Sequence, residues 1–91
     1  MQTLRNANLR NADLRNADLS YTNLSYTNLM GANLSYANLN SANLTYANLT
    51  HANLDHARHR DSANFSHAIF DENKKDRITD NKQDNGQEEQ S

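Results

Sequence analysis

The four histidines are the residues of this sequence with the widest chemical range, and all lie in its second half: His51, His56, His59 and His67. Imidazole binds zinc and transfers protons near neutral pH, but both roles need further groups that converge on it. Serines and aspartates are also present, yet no spacing places a nucleophile beside an oriented base. The absence of cysteine and of a glycine-rich loop excludes thiolate metal sites and phosphate loops. We therefore expect no catalytic residues, no metal site and no cofactor.

Arginines and tyrosines are the residues suited to binding. Arg5, Arg10 and Arg15 look like a basic run, but the whole chain has 9 Lys+Arg against 11 Asp+Glu, a net formal charge of -2. Direct binding of nucleic acid is therefore not expected. Exposed tyrosines are frequent in protein interfaces, so the predicted contact residues are Tyr21, Tyr26, Tyr36 and Tyr46.

Leucine recurs at every fifth residue, and the fold that this period indicates determines which of the residues above lie close together in space. From Leu4 to Leu54 every fifth residue is leucine; from Ala7 on, each of these leucines follows a small residue and then Asn or Asp. We number these three positions first to third, with leucine third, and the two variable residues fourth and fifth. In a helix, leucines five apart would point about 140° away from one another, and in a straight strand they would alternate faces.

Three extended residues followed by a two-residue corner bring every leucine to the same side. Repeated corners close the chain into a coil, and coils stack about 4.8 Å apart through parallel backbone hydrogen bonds. The second-position asparagines then point outward and are expected to ladder with their copies above and below. The predicted core is Leu4, Leu9, Leu14, Leu19, Leu24, Leu29, Leu34, Leu39, Leu44, Leu49, Leu54, Phe65 and Phe70.

The period is broken once and then ends. His59 stands in the leucine slot, and the next in-phase apolar residue, Phe65, comes six residues later. This spacing predicts one inserted residue near 60–62, a bulged corner, with His59 in the core slot or in the bulge. From Asp71 the sequence is charged and without period, so we predict a repeat domain over 1–70 and a disordered tail over 71–91.

The run of A(N/D)LXX units over about residues 2–70 resembles the pentapeptide-repeat family. The resemblance implies an all-β fold, a right-handed, four-sided parallel β-helix of about three and a half coils, with residue n stacked on residue n+20. Tyr26 should then stack on Tyr46, and the inserted residue should bring His67 next in that column. Such stacking is an alternative to protein contact as the role of these tyrosines. A left-handed hexapeptide β-helix would need a period of six.

The resemblance also implies two functions. Some members of the family mimic B-form DNA in shape and negative charge and bind DNA gyrase or topoisomerase IV. Here the acidic residues of the repeat are few and scattered, and most second positions are Asn. We therefore expect a non-enzymatic solenoid, a rigid interaction or structural module for an unknown protein partner. The alternative is a DNA mimic that binds gyrase or another DNA-processing or defence enzyme.

The exposed ends of a solenoid bear on its partners. The first coil has no evident cap, which predicts a homodimer or end-to-end self-association; alternatively the chain is a piece of a longer repeat protein. No segment has the roughly 18 apolar residues of a membrane helix, and the start has no apolar signal region, so we expect a cytoplasmic protein without membrane contact. A regular face of stacked polar side chains could bind ice, but the stacked positions of this sequence mix several residue types.

Overall fold

The leucine period produces a four-sided coil in the computed structural model, which describes residues 3–71. Single-residue parallel bridges join residue n to residue n+20, from Thr3–Asn23 to Asn38–Arg58. Twenty residues are four pentads, so each pentad forms one side of a coil. Within residues 3–71 no side contains a strand longer than its one bridge residue. The expected three-residue strands are therefore shorter than predicted, because corners follow one another too closely for a continuous ladder.

Five consecutive residues with a coil on each side, such as 24–28, donate three backbone hydrogen bonds to neighbouring coils. The N–H of Leu24 donates to the carbonyl of Asn43 at 2.6 Å, and the N–H of Tyr26 donates to that of Thr45 at 3.0 Å. The N–H of Asn28 donates in the opposite direction, to Ala7 at 2.9 Å. A further bond closes each corner, from the first-position N–H to the preceding leucine carbonyl. Backbone polar groups are thus satisfied without any long strand.

The core is a leucine column lined with small residues. The leucines from Leu24 to Leu49 are fully buried, as are the alanines from Ala32 to Ala52 that lie between them. Thr27 takes an alanine position, and its buried hydroxyl donates to the Leu4 carbonyl at 2.9 Å. The predicted core residues of the two ends are only half-buried, because each has a neighbouring coil on one side: Leu4, Leu9, Leu14, Phe65 and Phe70.

The irregular corner contains the one helical segment of residues 3–71, a single 3₁₀ turn over Arg60–Ser62. Beyond it the register is 21 residues, with bridges Asn43–Asn64 and Asn48–Ile69, as the six-residue step predicts. His59 is exposed and left-handed, with φ 63°, so its placement in the core slot is wrong and the bulge is correct. An imidazole would lose its hydration in the apolar core, and the chain turns outward at this residue instead.

The far end of the coil closes on Asp71. The carboxylate of Asp71 accepts the backbone N–H of His51 at 3.1 and 3.2 Å, the place that a backbone carbonyl takes at regular corners. The rest of the predicted tail lies outside the described residues. Among residues 3–71, the short 3₁₀ turn falls far below the length and apolarity of a membrane-crossing helix.

Candidate interaction surface

The fifth residue of each pentad is the most exposed part of every corner. These residues have positive φ, between 58° and 71°, whether they are Asn, Tyr, Ser, His or Gly. A turn of type II requires positive φ at this point, which Gly and Asn adopt most easily. Larger side chains carry a cost of roughly 1 kcal/mol or more there. The fold therefore does not require tyrosine at the four fifth positions where it occurs.

Second-position side chains hold the corners in place from outside. The Asn33 Oδ1 atom accepts the backbone N–H of Ser35 at 3.0 Å, and Asn8, Asp13 and other second positions do the same two residues ahead. The oxygen is thus used inside its own pentad. The expected asparagine ladder is wrong: among residues 3–71 the second-position oxygens accept these local backbone N–H groups, and no hydrogen bond joins second-position side chains of neighbouring coils.

One corner carries a continuous stack of side chains, which we call the tyrosine column. Tyr26 and Tyr46 are parallel within 3°, with ring centroids 4.9 Å apart. The His67 ring follows Tyr46 at 4.7 Å, and the Arg5 guanidinium lies 5.0 Å from the Tyr26 centroid on the first coil. This order follows from the 20-residue and 21-residue registers. The rings expose their edges and hydroxyl groups to solvent.

The other two tyrosines occupy different corners. Tyr36 stacks on His56 at 4.9 Å, and the Tyr21 hydroxyl lies 3.5 Å from the Asn40 side-chain nitrogen. All four tyrosines are about half exposed, between 47% and 57%. The structure therefore does not bring the four predicted contact residues into one patch; only Tyr26 and Tyr46 meet.

Acidic residues avoid the tyrosine column. Residues 3–71 contain five arginines and five aspartates, so their formal charges cancel. The side that precedes the column, formed by 3–6, 22–26, 42–46 and 63–67, contains no acidic residue. The side that follows it, formed by 7–11, 27–31, 47–51 and 68–71, contains only Asp71 at its end. Two adjacent sides and the corner between them thus form a surface with an aromatic centre, on which Arg5, Arg10 and Asp71 are the only Arg, Lys, Asp or Glu residues among 3–71.

The remaining acidic residues lie on the other two sides, and two of them, Asp13 and Asp18, have arginines near them there. Arg15 donates from Nε and Nη2 to the two carboxylate oxygens of Asp13, both at 2.8 Å. This hydrogen bonding lowers the pKa of Asp13 from 3.8 to about 2. The Ser20 hydroxyl and backbone N–H lower the pKa of Asp18, and Arg58 adds a weaker attraction. These carboxylates are balanced locally and do not form an acidic stripe.

The histidines and first-coil arginines do not converge on a site. Among residues 3–71 no three His, Asp or Glu side chains are arranged to hold a metal ion. His56 and His67 end aromatic stacks, and His51 Nδ1 lies 3.4 Å from Asp71. Arg5 and Arg15 have separate partners on different sides. Sequence reasoning missed the Arg5–Tyr26 contact, although the 20-residue register places Arg5 one coil from Ser25, the residue before Tyr26.

Comparison with known proteins places this coil in a family. The sequence matches the family described as pentapeptide repeats in eight copies, over residues 3–35 and 31–58. These segments cover more than half of the chain, and the chain belongs to the pentapeptide-repeat family. No curated protein matches the sequence.

Two crystal structures of cyanobacterial proteins are similar to this chain. One is alr5209, a pentapeptide repeat protein from Nostoc Pcc 7120, 38% identical over 72% of this chain, with a TM-score of 0.44. The other is the pentapeptide repeat protein Rfr23 from Cyanothece 51142, 32% identical over 78% of this chain, with a TM-score of 0.31. The matched part is 54% of each of these proteins, so this chain spans about half of their length.

Proposed function

We propose that this protein is a non-enzymatic interaction module that binds another protein through the tyrosine column and the two sides beside it. We also propose that the coil is right-handed, as the family resemblance implies. The observation that carries the binding proposal is the aromatic centre on a surface whose described residues include two arginines and one acidic residue, Asp71. Protein interfaces are enriched in tyrosine and arginine and depleted of acidic residues at their centres, which is the composition found here.

The rigid backbone supports the same proposal. Tyr26 and Tyr46 are held by left-handed corners and by mutual stacking, so little side-chain freedom is left to lose on binding. Pre-ordered side chains lower the entropic cost of association, which is roughly 0.5–1.5 kcal/mol for each mobile side chain. A packed leucine core leaves the outer surface as the place for recognition.

The charge distribution disfavours the DNA-mimic alternative. Asp13 and Asp18 have arginines nearby. The side formed by 3–6, 22–26, 42–46 and 63–67 contains no acidic residue. Asn and Asp are interchangeable as corner acceptors, so the fold itself would permit an acidic face at no structural cost. A mimic of DNA needs regularly spaced negative charge, because phosphate recognition is largely electrostatic.

Capture of partners on immobilised protein tests the proposal. The variant Tyr26→Asn/Tyr46→Asn keeps residues that tolerate positive φ, and Tyr21→Asn/Tyr36→Asn is its matched control. We expect a partner that is retained at high salt by the wild type and the control but lost from the Tyr26/Tyr46 variant. Equal loss from both variants would argue against the column. A topoisomerase or nuclease released by salt would support the mimic instead.

A further inference from the structure

We propose that Tyr26 and Tyr46 are an oxidative cross-linking site, at which hydrogen peroxide and a haem peroxidase join the two phenol rings as dityrosine. The proposal is independent of any partner protein. The pair is parallel within 3° at 4.9 Å, and both rings are about half exposed to an external oxidant. The protein has only four tyrosines, and neither Tyr21 nor Tyr36 has another phenol ring stacked on it.

Neighbours on either side isolate the pair. Arg5 covers the face of Tyr26 that points to the first coil, and His67 covers the far face of Tyr46. Neither guanidinium nor imidazole couples as a phenol does. A phenoxyl radical on one ring therefore has the other ring as its nearest coupling partner within the molecule.

The chemistry balances with peroxide as the oxidant. Each phenol loses one electron and its hydroxyl proton, which gives two phenoxyl radicals. A carbon–carbon bond then forms between the ring carbons next to the hydroxyl groups. Those two carbons release their protons and the phenol oxygens are protonated again, so the pair loses two hydrogen atoms in total. One hydrogen peroxide takes up these two electrons and two protons and becomes two molecules of water.

The product would act as a staple between the second and third coils. Residues 26 and 46 lie twenty apart in sequence but are already adjacent in the folded chain. The cross-link therefore joins two residues that the native fold has brought together. A covalent closure of this kind restricts the unfolded chain more than the folded one, as a disulfide does. The chain contains no cysteine, so disulfide bonds are not available for this purpose.

Peroxidase treatment of the full chain at low concentration tests the site. We expect a monomeric product that has lost two hydrogen atoms and shows dityrosine fluorescence. The signal should vanish from the monomer in Tyr26→Phe and in Tyr46→Phe, which keep a stacked ring, and persist in the matched control Tyr21→Phe/Tyr36→Phe. Oxidation of Met30 adds oxygen, so the mass separates it from cross-linking.

Two results would overturn the proposal. One is intramolecular dityrosine that is undiminished in Tyr26→Phe, and the other is its absence from the Tyr21→Phe/Tyr36→Phe chain. Circular dichroism shows that each variant is folded before oxidation. The staple itself is measured by the urea midpoint of the purified cross-linked monomer, which should be higher than that of the untreated chain. An unchanged or lower midpoint would contradict the stabilising role.

Discussion

At the scale of the residue, the second position of a pentad can be neutral or negatively charged while it makes the same hydrogen bond to the corner. Asn8 and Asp13 both accept the backbone N–H two residues ahead, at 3.2 Å in each case. Only an oxygen is required, so the sequence can choose a neutral or a negative side chain without altering the corner. The seven second-position residues from Asn23 to Asn53 are all asparagine, so this position adds no charge there. Charge at this position can therefore vary without a change in the corner's backbone hydrogen bond.

Asp13 supplies the residue-scale prediction. Its pKa is about 2 in the folded chain because Arg15 hydrogen-bonds to the carboxylate, against an ordinary 3.8. A folded pKa below the unfolded one stabilises the protein above about pH 4, and the gain is lost as pH falls toward 2. We expect Arg15→Gln to raise the Asp13 pKa toward its ordinary value, measured by NMR titration of the side-chain carboxyl.

Arg10→Gln is the matched control, since Arg10 follows Asn8 and has no carboxylate at the corresponding place. The Asp13 titration should be unchanged in this variant. If Arg15→Gln left the titration of Asp13 where it is in the wild type, the ion pair would not be its cause.

At the scale of the element, the irregular corner shows how the coil tolerates an insertion. Its extra residue is absorbed by the 3₁₀ turn, and the Ser62 hydroxyl accepts the N–H of Ser41 at 3.0 Å. A backbone carbonyl of the next coil takes that role at regular corners, as Asn40 does for Tyr21. The same hydroxyl lies 2.9 Å from the Asn40 side-chain oxygen, to which it can donate. The 3₁₀ turn thus takes up the inserted residue locally, and the following pentads continue to pair with the previous coil.

Restoring the period should stabilise the coil. His59→Leu combined with deletion of Asp61 produces a regular pentad, Ala57 to Ser62 without the extra residue, and places a leucine beneath Leu39. Burial of a leucine contributes about 2 kcal/mol, so we expect a higher urea midpoint.

The single change His59→Leu serves as the control, because the bulged corner would keep the new leucine exposed. It should leave stability nearly unchanged. A double change that lowers the midpoint would show that the 3₁₀ turn contributes more than the leucine column.

At the scale of the whole molecule, the first coil has an edge that no other part of residues 3–71 covers. Within residues 3–71 the N–H and carbonyl groups of Asn8, Asp13 and Asp18 make none of the inter-coil bonds that their equivalents make in later coils. Leu4, Leu9 and Leu14 are half-buried behind this edge. Backbone donors and acceptors that lack inter-coil partners, next to an apolar layer, favour association with a second copy, because such an edge pairs readily with an identical edge.

We propose that the chain self-associates through this first-coil edge. The sedimentation coefficient should rise with protein concentration, and Ala12→Lys should suppress the rise by placing a charge in the apolar layer of the first coil. Met30→Lys carries the same charge on the second coil and should associate like the wild type. Association that is unaffected by Ala12→Lys, or a wild type that stays monomeric, would exclude this edge.

The sequence by itself determined the repeat and its inward leucines, because three extended residues and a corner in every pentad keep each leucine on the same side. Four pentads per coil, and with them the 20-residue register, were implied by the resemblance to the pentapeptide-repeat family. The position of the inserted residue was also legible, since the step from His59 to Phe65 is six. The stacks of Tyr26 on Tyr46 and of Tyr46 on His67 follow from these two registers alone.

Only the tertiary structure decided how side chains use their partners. His59 turns outward because an imidazole in the apolar core would lose its water, a choice that sequence left open. Asparagine oxygens accept backbone N–H groups within their own pentads and do not form ladders between coils. The scarcity of acidic residues beside the tyrosine column becomes visible only when residues five to twenty apart are assigned to their sides. Such properties depend on distances in space, which a one-dimensional period does not contain.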